Sequence, residues 1–200
     1  MCTIAVLAVT WITATGTASA APETTIDAGP AEGSTTNNRR PTFAFTSSEP
    51  GSTFACSLDG EPLAECESPQ TLDPVADGPH AFAVTAIDLL GIPDETPASR
   101  SFKIDTAPPN TVITKRPPKK LVTRTRRVEV EFQFTSTEAG SRFECSLDGV
   151  APAPCGSPVT YRVGKGEHRF LVLVMDRAGN SDRVPATDVF EVRRERLRRR

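Results

Sequence analysis

The sequence predicts an all-β protein made of two tandem copies of one small sandwich module. Three observations carry this prediction. "FAFTSSEPGSTFACSLDG" (43–60) returns as "FQFTSTEAGSRFECSLDG" (132–149). Apolar residues alternate with polar ones over short stretches, the period of a strand with one buried face. Long helical patterns are absent, and turn-forming Pro and Gly punctuate the chain throughout.

The first twenty residues, "MCTIAVLAVTWITATGTASA", stand apart from the repeats. They are apolar and uncharged, and they end in Ala18-Ser19-Ala20, the small-residue pattern that a signal peptidase cleaves. The apolar stretch is short and interrupted by Thr and Gly, which suits a removable export signal better than a spanning helix. No Lys or Arg precedes it. Either the start lies upstream or export is weak. Residues 1–20 are expected to be a signal peptide, and Cys2 would leave with it.

Four cysteines then remain: Cys56, Cys66, Cys145 and Cys155. Each repeat carries one pair at the same spacing, so Cys56–Cys66 and Cys145–Cys155 are the expected bridges. Disulfides persist outside the cytosol, which points to an extracellular or cell-surface location. There is no Cys-x-x-Cys and no His near either pair, which disfavours redox or metal roles.

The first module spans 22–106. Phe54, Cys56 and Leu58 share one strand face, and Asp59-Gly60 signals a hairpin turn. "CESPQT" (66–71) and "GPHAFAVTAID" (78–88) follow; they return as "CGSPVT" (155–160) and "GEHRFLVLVMD" (166–176). The repeat offset slips by one residue between these segments. "DTAPPNT" (105–111) joins the modules, and its Pro pair makes a short, semi-rigid spacer.

The second module spans 107–193. In "VEVEFQF" (128–134), Val128, Val130, Phe132 and Phe134 face one way, against Glu129, Glu131 and Gln133. Phe143, Cys145 and Leu147 form a second inward set, and Phe170, Val172 and Val174 a third. Asp148-Gly149 is a turn, and residues 176–180 are another. Residues 194–200 read as a basic disordered tail.

Seven or so short strands per module, with turns about every dozen residues, suit an immunoglobulin-like sandwich. Around the start of the sixth strand, immunoglobulin domains carry Gly-x-Tyr-x-Cys. Here Gly78-Pro79-His80-Ala81-Phe82 and Gly166-Glu167-His168-Arg169-Phe170 stand in that place. His takes the corner position and Phe replaces the inter-sheet Cys. The motif "SSEPGSTFACSLDG", the second Cys, "DGPHAFAVTAID" and the "DTAPP" junction together resemble bacterial Ig-like repeats of secreted and surface proteins, over about residues 22–193. That resemblance implies a spacer, adhesion or binding module without catalytic residues.

The chemistry of enzymes is correspondingly absent from the sequence. No Gly-x-Ser-x-Gly, phosphate-binding loop or His-Glu-x-x-His occurs. The only histidines, His80 and His168, hold equivalent repeat positions, which favours a structural corner over catalysis. Asp176, Asn180 and Asp182 supply oxygens around one turn, as a calcium loop would. The first copy breaks that pattern, so backbone capping within the turn is the favoured reading, and no cofactor or metal is expected.

Charge divides the chain. Residues 1–106 hold four Lys/Arg against fourteen Asp/Glu, and residues 107–200 hold nineteen against eleven. The basic residues fall in two runs: Lys115, Arg116, Lys119, Lys120, Arg124, Arg126 and Arg127, then Arg193, Arg194, Arg196, Arg198, Arg199 and Arg200. Sandwich topology predicts that both runs meet at the end of the second module far from the first. A basic end attracts polyanions: envelope polymers, lipid headgroups or extracellular nucleic acid. No aromatic residues are interleaved for base stacking, so sequence-specific nucleic-acid binding is not expected. The bland alternatives are a solubilising end, or contact with the acidic first module of another copy. The leading functional reading is a non-catalytic spacer or interaction module with an unknown protein or envelope partner. Behind it stand a polyanion-binding module and an accessory domain of a larger secreted enzyme.

Overall fold

The computed structural model describes residues 21–195; the expected signal segment 1–20 and Arg196, Arg198, Arg199 and Arg200 lie outside them. The first module contains β1 (Thr24–Ala28), β2 (Ser34–Thr36), β3 (Thr42–Ser47), β4 (Thr53–Leu58), β5 (Glu61–Pro62), β6 (Gln70–Thr71), β7 (Gly78–Ile87) and β8 (Ala98–Ile104). The second repeats the order as β9 (Thr111–Lys115), β10 (Lys120–Thr123), β11 (Val128–Ser136), β12 (Arg142–Leu147), β13 (Ala153–Cys155), β14 (Val159–Val163), β15 (Gly166–Met175) and β16 (Ala186–Arg194). β16 therefore includes Arg194, one residue beyond the expected module boundary.

Each module is a two-sheet sandwich. A three-stranded sheet, β1-β3-β6, faces a five-stranded sheet, β2-β8-β7-β4-β5; the second module repeats this as β9-β11-β14 and β10-β16-β15-β12-β13. β2 and β10 run parallel to the last strand of their module, and the other pairings are antiparallel.

The alternation read from the sequence sets the inward faces. Val130, Phe132 and Phe134 are buried, as are Phe170, Val172 and Val174, while Phe54 and Leu58 pack half-buried beside buried Cys56. The sheets meet through Phe. Phe43 stacks on Phe82 with ring centroids 4.1 Å apart, and Phe132 on Phe170 at 3.9 Å. These pairs join β3 to β7 and β11 to β15, where an immunoglobulin domain carries its inter-sheet disulfide. Full burial of such a ring stabilises by about 1.5–3 kcal/mol, and aromatic pairing adds about 0.5–1.5.

The disulfides form as expected, Cys56–Cys66 with Cα atoms 5.4 Å apart and Cys145–Cys155 at 5.7 Å. They clamp β4 and β12 to the chain that returns after the Asp-Gly turn. Cys145 and Cys155 are diagonal neighbours, because Cys155 lies opposite Phe143 and Cys145 opposite Ala153. In the first module only Ser57–Pro62 and Leu58–Glu61 pair, and Cys66 lies beyond β5. The covalent bridge there substitutes for ladder hydrogen bonds.

Asp59 (φ 54°) and Gly60 (φ 85°) are both left-handed, the geometry of a two-residue type I′ hairpin turn, and Asp148 and Gly149 repeat it. The repeated Ser-Pro has its own role. Ser68 Oγ and Ser157 Oγ accept the Phe45 and Phe134 N–H groups at 2.9 Å, tying the crossing segment to the central strand of the small sheet.

The modules join end to end. The linker's Pro109 is buried, and Asn110 exchanges hydrogen bonds with Thr137 (Asn110 N–H to Oγ1 2.9 Å, Thr137 N–H to Asn110 O 3.0 Å). Asn180 Nδ2 donates to Asp105 O at 2.7 Å, and the Asn37 N–H donates to Ala178 O at 3.2 Å. The β2–β8 end of the first module thus sits on the β15–β16 turn of the second.

Candidate functional site

The predicted basic surface is two groups. Lys115, Arg116 and Lys119 lie partway along the second module's edge. Lys115 Nζ meets Glu131 Oε1 at 2.9 Å. Lys119 Nζ lies 2.6 Å and Arg116 3.4 Å from Asp188 Oδ1, a carboxylate with no exposed side-chain surface. These three cations each compensate a local acid. The two runs were expected to meet as one patch. Asp188, which is opposite Phe170 in the sheet register, holds Arg116 and Lys119 to itself.

The remaining cations do converge. β10 pairs in parallel with β16, placing Lys120 opposite Glu191, Val122 opposite Arg193 and Thr123 opposite Arg194. Arg124 pairs with Glu195, and Arg193 with Glu191 at 2.7 Å. Lys120, Arg126, Arg127 and Arg194 are exposed and make no salt bridge among the described residues. Lys165, in the β14–β15 turn, joins this end. Its isolation in the sequence hid it, and the turn length alone could have revealed it. The Glu191 carboxyl is held below its ordinary range, first by the Arg193 hydrogen bond, with burial opposing, and then by the charges of Arg193, Lys120 and Lys165.

The turns at the other end use their acids internally. Asp176 Oδ1 accepts the Asn180 N–H at 2.8 Å, and Asp176 Oδ2 accepts Asn180 Nδ2. Asp182 accepts Thr111 N–H and Val184 N–H, both at 2.8 Å. These oxygens cap backbone instead of converging, and no group of three or more His, Cys, Asp or Glu among the described residues is disposed to hold a metal. Asp94 holds the equivalent place in the first module; hydrogen bonds from Thr24, then Thr96, lower its pKa to about 2 against the opposing effect of burial. The first module's β7–β8 turn is free at its tip, with Leu89 and Leu90 81% and 76% exposed.

The histidines close corners. His80 Nδ1 lies 2.7 Å from Asp59 Oδ2 and its Nε2 2.9 Å from Ala76 O; His168 repeats this with Asp148 (2.7 Å) and Gly164 O (3.0 Å). The reach back to a carbonyl four residues upstream reproduces with imidazole the bond that a corner tyrosine makes. The Asp partner comes from the hairpin turn, so one ring ties two loops together.

No protein-family model matches the chain, and a search of curated proteins finds no similar sequence. Solved structures do resemble it. Fibronectin(III)-like modules of CbhA from Clostridium thermocellum are 16% identical, with 89% of this chain and 98% of that one covered at a TM-score of 0.55. A three-domain titin segment is 12% identical over 88% of this chain and 67% of its own (TM-score 0.45), and the Sidekick-1 immunoglobulin domains 1–5 are 14% identical over 90% and 41% (TM-score 0.46). At these identities the likeness concerns architecture. In fold, the chain is a tandem of two immunoglobulin/fibronectin type III-like β-sandwiches.

Proposed function

We propose that this chain is a non-catalytic spacer and interaction module of an exported, cell-surface protein. The observation that carries the reading is the junction. Two modules with separate cores and separate disulfides are held end to end by a buried linker proline and by hydrogen bonds from both sides. Such a joint fixes length and direction, which is what a spacer supplies, and leaves loops and ends for contact. Local bridges suit small modules that must persist in an oxidising compartment. Small-angle scattering tests the spacer. A maximum dimension matching two end-to-end sandwiches, unchanged by salt, supports it; a broad distribution of dimensions contradicts a fixed spacer. Fractionation of the producing cell tests export: both disulfides and cleavage after Ala20 support it, and a reduced cytosolic chain retaining residues 1–20 refutes it.

A second reading, polyanion docking, is favoured by the uncompensated cations Lys120, Arg126, Arg127 and Arg194 at one end. Binding to anionic envelope polymer across a salt series, with residues 193–200 present or deleted, tests it. Retention that falls with salt and with deletion supports the reading. No retention in either form rejects it.

A further inference from the structure

The internal junction is a template for a second contact. Within the chain, the β2–β8 end of the first module covers the β15–β16 turn of the second. Asn37 donates its N–H to Ala178 O, its Nδ2 lies against Gly179, and Ala178 is only 8% exposed. The first module has the same turn: the Asp88 N–H donates to Ile92 O at 3.0 Å, as the Asp176 N–H does to Asn180 O. Residue for residue, Leu90 stands where Ala178 stands and Ile92 where Asn180 stands. In the described chain Leu90 is 76% and Ile92 41% exposed.

The opposite end carries the matching change. Thr36 pairs with Ile104 and Leu121 with Val192, so the residue after each strand partner, Asn37 in one module and Val122 in the other, holds the same register place. Val122 is 62% exposed. Where the internal joint is polar, Asn37 and Asn180, the two free ends offer apolar residues, Val122 against Leu90 and Ile92. The charges also differ in sign. Arg126, Arg127 and Arg194 surround the Val122 end, while exposed Glu95 and half-buried Glu49 and Asp88 lie in and beside the loops at the Leu90 end. An exposed apolar pair at two ends of opposite charge is a surface that lacks its partner.

We infer that copies of this chain associate head to tail, the Val122 end of one second module seating on the Leu89–Ile92 turn of the next copy's first module. The contact is heterologous, so repeated use builds an open filament or, if the rotation closes, a ring. Apolar contact at the centre supplies affinity, and the ring of opposite charges supplies orientation and salt sensitivity. The inference stands apart from the spacer reading: a chain that stays monomeric would still span two modules.

Sedimentation velocity on the purified chain over a concentration series tests the inference with two exposed substitutions, Leu90→Asp and Val122→Asp. Each should abolish association, with circular dichroism confirming that the fold is kept. Mixed one to one, the two variants should recover a complex that stops at two copies, because each retains the end the other lacks. Wild-type association should weaken at least tenfold between about 50 mM and 500 mM salt, as screening of opposite charges requires. A wild-type chain that is monomeric at low salt and high concentration overturns the inference. So does association that survives both substitutions, or variants that remain monomeric when mixed. If a polyanion instead occupies the basic end, the Arg126→Glu/Arg127→Glu chain will lose polymer binding while the wild type stays monomeric, which also overturns it.

Discussion

His80 and Asp59 bind one another across two loops, and each ring nitrogen of His80 faces an oxygen: Asp59 Oδ2 at 2.7 Å and Ala76 O at 2.9 Å. Neither oxygen can donate, so only the imidazolium, with two N–H groups, satisfies both. Burial lowers the pKa of His80, but the hydrogen bonds to Asp59 and Ala76 and the Asp59 charge outweigh it and raise it above 6.5; His168 shifts the same way for the same reasons. Asp59 moves down from 3.8 despite burial, through bonds to His80 and the Ala81 N–H.

The sign of the pH dependence follows. A raised folded-state pKa contributes stability that is fully present below 6.5 and is lost as pH rises through the folded-state value. Asp59 acts oppositely, contributing above 3.8 and failing as pH falls through its lowered value. The corners are therefore expected to be strongest between about pH 4 and 6.5. The wild-type urea midpoint should fall on going from pH 6 to pH 8.5, and the His80→Phe/His168→Phe chain should lack that fall. Ring titrations by NMR with midpoints at or below 6.5 would refute the assignment.

The Phe stacks make each module's stability separable. Phe82→Ala removes one ring of the Phe43 stack at a fully buried position, at a cost of about 3–5 kcal/mol. That is a large share of a small module's stability. Tyr161, the sole tyrosine, sits in the second module with its ring 5.8 Å from Phe170. Phe82→Ala should therefore produce an early melting phase in circular dichroism while the tyrosine signal melts as in wild type. Phe170→Ala should shift the tyrosine signal itself. A single common transition in both variants would mean that the modules unfold as one unit.

Much of this was legible in the sequence, and the parts that were not have a common cause. Alternation at Val128–Phe134, the Asp-Gly turns and the cysteine pairs are local or repeated signals, and repetition fixed the disulfide pairing without geometry. What could not be read were contacts between distant residues at one register position. Asp188 and Arg100 hold equivalent places in the two modules yet act in opposite ways. Arg100 donates to Ile26 O and Pro30 O, whereas Asp188 accepts from Lys119 and Arg116, and Arg116 in turn reaches Ile113 O. The exchange of a cation for an anion at one position split the basic run, and it lies 69–72 residues away in sequence. The corner histidines were legible as positions; their Asp partners, some twenty residues upstream, were not.

That exchange gives a third prediction. Asp188 has no exposed side-chain surface, and its Oδ2 makes no hydrogen bond within the described residues, so Lys119 and Arg116 are its compensation. Removing both in Lys119→Ala/Arg116→Ala strands a buried charge and should cost about 3 kcal/mol, because uncompensated burial outweighs anything the exposed cations lose to water. Adding Asp188→Asn should recover most of the loss. Chemical denaturation of the double and triple variants checks this; equal stability of the two would show that water already solvates the carboxylate.

The joint between modules depends on a side chain of the turn that the sequence read as backbone capping. Asn180 Nδ2 donates both to Asp176 Oδ2 at 2.8 Å, within its own turn, and to Asp105 O at 2.7 Å, in the other module. Asn180→Ala removes both bonds, while the Asp176 Oδ1 bond to the residue 180 N–H does not need the side chain and should hold the turn. The expected cost is about 1 kcal/mol, small against folding but large against the few polar contacts that orient two small modules. The melting temperature should barely move. The modules' residual dipolar couplings, which share one alignment tensor in a fixed joint, should separate into two. Retention of a single tensor in Asn180→Ala would assign the orientation to the buried Pro109 and the Asn37 N–H bond to Ala178 O instead.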